Sequence, residues 1–115
     1  MTNQYTARLQ QLIDAVLTTP GDTDVNFRRA VEARAAELGG RAAGMEDQKG
    51  EVPAELGKYV RKVAMHAYKV TDSDVEALRK AGYSEDAIFE YTLSAALGAS
   101  VARLERGLQA VRGER

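Results

Sequence analysis

His66 is the only histidine in the chain, and an imidazole is the side chain that gains and loses a proton near neutral pH. On a helix it shares a side with Tyr59, seven residues earlier, Lys62, four earlier, and Val70, four later. That grouping suits a pocket edge where His66 is the acid/base, Lys62 the partner of an anion and Tyr59 a hydrogen-bond donor. The same spacing also fits a half-buried histidine, flanking an apolar stripe and bonded to backbone or water. Nearby carboxylates are Glu55, Asp72, Asp74 and Glu76. Two of them together would suit acid/base work or grip a hard cation, but capping explains Asp72 and Asp74 better, and solvation explains Glu76.

Other chemistries are excluded more firmly. With no cysteine there is no disulfide, thiolate zinc site, iron–sulfur cluster or thiol nucleophile, and one histidine cannot build a multi-histidine metal site. Neither a cofactor nor a metal is therefore expected. The 16 basic and 17 acidic residues nearly cancel to a formal charge of -1, which disfavours a nucleic-acid partner. Arg28/Arg29, Arg61/Lys62 and Arg79/Lys80 are basic pairs without interleaved aromatic residues or a phosphate-cradling glycine loop, so solvated faces describe them. Arg103, set among apolar residues, is either an interfacial or buried anchor or a chain laid over Val101 and Leu104. Tyr59, Tyr68 and Tyr91 would serve a small-molecule cavity or a half-buried core equally well.

The elements that must position these groups read as helices. At 115 residues, 44% hydrophobic and 29% charged, the chain is one domain's worth of sequence, 1–115, and alternating β-branched or aromatic runs are absent. Leu9, Leu12, Ile13, Val16 and Leu17 mark an N-terminal helix over 1–21, stopped by Pro20-Gly21. Asp22–Asp24 should cap a second helix whose apolar face is Phe27, Ala30, Val31, Ala35 and Leu38, and Gly39-Gly40 should stop it. A glycine-rich loop over 39–52 follows, with a turn around Met45. Pro53 suits the first turn of a third helix carrying Leu56, Val60, Val63, Ala64 and Ala67 and ending near Val70. Thr71-Asp72-Ser73-Asp74 reads as a capping box before a short helix with Val75 and Leu78, closed by Gly82. Ser84 should cap a last helix from Glu85 to Val111, with Leu93, Leu97, Val101, Leu104, Leu108 and Val111 as its large apolar positions. Ala95, Gly98 and Ala102 make a small-residue stripe that admits another backbone.

A helix with two usable faces in so short a chain points to a homo-oligomer sharing the surplus surface. The longest apolar run, Leu93 to Ala99, is far short of a membrane span, and Met-Thr-Asn-Gln-Tyr is no signal peptide. No membrane partner and a cytoplasmic location are the expectation.

Val70-Thr71-Asp72-Ser73-Asp74-Val75, then Ala77-Leu78-Arg79-Lys80-Ala81-Gly82-Tyr83-Ser84-Glu85-Asp86-Ala87-Ile88, resembles the carboxymuconolactone decarboxylase/alkylhydroperoxidase D-like superfamily. Ala95-Ala96-Leu97-Gly98 and Arg103-Leu104 are similar to that group's last core helix. The resemblance covers about a third of the chain and rests on helix punctuation. It implies an all-helical bundle, with 53–111 as its core, assembled into rings or dimer-built oligomers, with a small cavity near the His66 helix at subunit contacts. Redox members of the family carry Glu-x-x-Cys-x-x-Cys-x-x-x-His. Aligned on His66, this chain puts Tyr59 and Lys62 at the cysteines and Leu56 at the glutamate. Aligned on Gly82, it puts Ala67 and Val70 at the cysteines, Asp74 at the histidine and Ala64 at the glutamate. The thiol peroxidase mechanism therefore does not carry over, and no decarboxylase residue is matched. What remains is a cysteine-free relative that binds a small organic molecule, or moves a proton on it in a lyase- or isomerase-type reaction, in a subunit-edge pocket at Tyr59, Lys62 and His66. The alternative is a non-catalytic oligomerisation or partner-binding module.

Overall fold

A computed structural model describes residues 4–40 and 52–113, with side chains from residue 7 onward. It contains five α-helices and no strand among the described residues: α1 (Gln4–Thr18), α2 (Val25–Leu38), α3 (Ala54–His66), α4 (Asp72–Lys80) and α5 (Glu85–Val111). The expected loop over 39–52 and its turn around Met45 fall largely outside the described residues.

Helix ends follow local chemistry. At α4 the Asp74 N–H donates to the Thr71 hydroxyl while the Thr71 N–H donates to the Asp74 carboxylate, completing the expected capping box. Ser84 accepts from the Ala87 N–H at 3.0 Å and starts α5, whose bounds are those the sequence pattern predicts. Gly82, at φ 106°, takes the left-handed conformation that lets the chain turn from α4 into α5. Two expectations shift. Asp24 precedes α2, but its side chain makes no capping bond. The third helix stops at His66, not Val70: His66 leaves the helical region at φ -144°, ψ 53°, and a single 3₁₀ turn, Ala67–Lys69, carries the chain onward.

α5, about 40 Å long at 1.5 Å per residue, is the spine. α2 lies against its small-residue stripe so closely that a Cβ at Gly98 would sit 2.3 Å from the Glu32 carbonyl oxygen. The stripe is thus filled from within the chain. Val31 and Ala35 of α2, Leu56, Val60 and Ala64 of α3, Leu78 of α4, and Ile88, Tyr91, Ala95 and Ala99 of α5 form the main core. Phe27 and Tyr83 meet the Tyr91 ring edge-on at centroid distances of 6.2 Å each. α1 joins separately, through Ile13 and Leu17 against Val101 and Leu97. Leu78 is the only fully buried residue of α4, and Val75 packs partly buried beside it against the core.

Candidate functional site

Residues of α3 and α4 line an open groove of about 490 Å³. Tyr59, Leu78 and Ala77 supply apolar wall, while Glu55, Lys58, Arg61, Lys62, His66 and Asp74 supply charge and polarity. All three residues expected at a pocket, Tyr59, Lys62 and His66, therefore line one depression, as their helical spacing requires.

Their roles differ from a simple triad. The Lys62 ammonium donates to both Asp74 oxygens, at 3.1 and 2.9 Å, so two of its three N–H donors are committed within the chain. This hydrogen bond, followed by that from the Thr71 N–H, holds the Asp74 carboxyl below its ordinary value. Asp74 thus fastens α4 to α3 as well as capping α4, a double use that capping alone did not suggest. Tyr59 is buried with its hydroxyl 2.8 Å from the Thr92 oxygen. Thr92 already donates to the Ile88 carbonyl at 2.7 Å, so Tyr59 is the donor in that pair and offers the groove its ring. Glu55 accepts from the Tyr83 hydroxyl at 3.2 Å, and burial, then the carboxylate, pushes the Tyr83 hydroxyl up. His66 is exposed at the end of α3, edge-on to Tyr68, and makes no hydrogen bond among the described residues. Lys58 and Arg61 are exposed on the rim and likewise have no ion-pair partner among the described residues.

A second polar cluster, where α1, α2 and α5 meet, carries structure instead. Arg28 is only 3% exposed, which corrects its description as part of a solvated face. Its guanidinium donates to the carbonyls of Val16 at 2.8 Å and Thr19 at 2.7 Å, groups that the end of α1 leaves without helical partners. Glu90 accepts from the backbone N–H groups of Asp22 and Thr23, at 2.9 Å each, and from the Thr23 hydroxyl. Burial opposes the charge on Glu90, but these hydrogen bonds and Arg28 outweigh it, and its carboxyl is held below the ordinary value. Nothing in the sequence singled out Glu90. For Arg28 a signal existed, since it precedes Val31, Ala35 and Leu38 by three, seven and ten residues, along the apolar face.

Arg103 is exposed along its stem, and its guanidinium donates to the Ala64 carbonyl in the last turn of α3. Among the described residues, no three His, Asp or Glu side chains gather to hold a metal ion, and no helix is long and apolar enough to cross a membrane. No family model, curated protein or solved structure matches the chain.

Proposed function

We propose that the protein is an oligomeric, cysteine-free bundle of the alkylhydroperoxidase D-like type that binds a small organic anion in the α3–α4 groove. The observation that carries this reading is the juxtaposition, in one 490 Å³ depression, of an apolar wall with His66 and two cations, Lys58 and Arg61, that have no hydrogen-bond or ion-pair partner among the described residues. A volume of this size is in the range of small-molecule sites, where apolar surface supplies affinity and a few polar groups fix orientation. Arg61 offers a planar fork that suits a carboxylate, and the remaining Lys62 donor adds a second contact. Tyr59 contributes its ring, and His66 at the lip exchanges a proton with the bound molecule, which is the acid/base role its chemistry suits. The Val70–Leu108 resemblance supports the bundle type and the assembly.

A second reading, a non-catalytic assembly module, is favoured by the exposure of Phe89, Leu93, Leu104 and Val111. Thermal unfolding against a panel of aliphatic and aromatic carboxylates separates the two. Under the binding reading at least one carboxylate raises the wild-type Tm, the rise is lost in Arg61→Gln and His66→Gln, and ligand-free Tm stays unchanged in both variants. A panel that leaves the wild-type Tm unmoved, or moves the variants equally, overturns it.

A further inference from the structure

We infer that the outer face of α5 is a two-fold interface on which a second copy of this chain lies antiparallel, centred on Ser100. This rests on the oligomeric part of the reading above and not on the groove.

The face begins with exposed apolar residues: Phe89 is 65% exposed, Leu93 38%, Leu104 42% and Val111 83%. With Ala96, Ser100 and Gly107 they recur every three or four residues, so all seven share one side of the helix for about 33 Å. No charged residue interrupts that row. Arg103 flanks it, but its guanidinium is turned to the Ala64 carbonyl. On the opposite flank α1 sits on Leu97 and Val101, and it sets Ala15 and Val16 beside Leu93 in a shallow depression of about 320 Å³. Leu12, 52% exposed, lies on that same α1 face and widens the apolar surface.

Two features of the row specify its occupant. The first is size. Counting outward from Ser100, one turn away Leu104 answers Ala96, two turns away Leu93 answers Gly107, and three turns away Phe89 answers Val111. An antiparallel copy sharing the Ser100 centre therefore sets each leucine over a small residue, the alternation that lets two helices approach within 8–10 Å. The second is charge. From Glu85 to Gly98 the helix carries Asp86, with Glu85 paired to Arg79 and Glu90 held by the α1–α2 corner, and no basic residue; from Ala99 to Arg112 it carries Arg103, Arg106 and Arg112 against Glu105. Antiparallel pairing brings the acidic half of one copy to the basic half of the other and also opposes the helix dipoles, whereas parallel pairing sets like against like. Residues 103–107 and 109–111 are all exposed, so the last turns of α5 outrun their own core. In the pair, they come to rest on the partner's Phe89–Ala96 surface.

The test uses the absence of cysteine. Ser100→Cys places one thiol on the two-fold axis, where two such helices bring Cα atoms into the roughly 4.4–6.8 Å range a disulfide requires. Gln109→Cys, exposed on the other side of α5, is the control. Under mild oxidation the Ser100→Cys chain should form a covalent dimer at least tenfold faster than the control, and Leu104→Glu, an exposed change, should lower the mass seen by light scattering. Equal cross-linking rates, or an unchanged mass for Leu104→Glu, overturn the interface while leaving the oligomeric reading intact. A wild-type monomer at about 50 µM overturns both.

Discussion

Arg28 and Lys62 are both basic residues on helices that pack on α5, yet they are used in opposite ways. Arg28 is 3% exposed and spends its guanidinium on the carbonyls at the end of α1. The Lys62 side chain keeps 35% of its surface in solvent and faces one carboxylate, Asp74, itself 25% exposed. A buried charge must be matched by fixed acceptors, and the matching makes it part of the scaffold. A half-exposed pair is screened by water, contributes little to stability and leaves its groups able to exchange partners. The corner around Arg28 and Glu90 is therefore a fastening, and the groove around Lys62 and His66 is a solvent-open surface whose polar groups are not locked in place.

Removing the fastening has the largest expected effect. Arg28→Ala takes away the partners of the Val16 and Thr19 carbonyls and empties its buried site, at a cost of about 4 kcal/mol in denaturant unfolding, with α1 the first element lost in hydrogen exchange. A loss no greater than that of Lys62→Met would break the comparison. Leu78→Ala comes next, at about 3 kcal/mol, because Leu78 is the one fully buried side chain of α4, which forms one wall of the groove. If the proposed carboxylate binding is found and survives it unchanged, the groove does not need a fixed α4.

Acid sharpens the contrast further. The Glu90 carboxyl is held below its ordinary value of 4.5, so its charged form is favoured by folding. The stability it adds is present above that value and disappears as pH falls through the lowered one. Glu90→Gln should lower stability at pH 7, by less than Leu78→Ala does, and flatten the decline below pH 4.5, as read from Tm against pH. Asp74, lowered by Lys62 and Thr71, has the same sign, and Asp74→Asn should flatten the acid limb less. The smallest effect belongs to Lys62→Met, which should leave Tm within about 3 °C of wild type.

Much of this architecture was legible as pattern. The capping box at Thr71 and Asp74, the Ser84 cap and the 27-residue length of α5 are local matters, decided by hydrogen bonds and periodicity within a few residues. The gathering of Tyr59, Lys62 and His66 on one side was also local, since helical spacing alone puts them there. What each does was not legible. The commitment of the Tyr59 proton depends on Thr92, and that of Lys62 on Asp74, partners 33 and 12 residues distant. The spacing of Arg28 along the apolar face hinted at its burial, but nothing short-range marks which helix end its guanidinium will meet.

By itself, the sequence determined the all-helical class, the caps and bounds of α4 and α5, and the absence of any thiol. Tertiary structure alone decided that α2 fills the small-residue stripe at Gly98, that Arg28 and Glu90 lock the α1–α2 corner, and that His66 stays exposed with no hydrogen-bond partner among the described residues. The division follows from range. Hydrogen bonds between near neighbours are written in residue order, whereas the burial that turns a charge from a surface feature into a structural one depends on which distant segment comes to cover it.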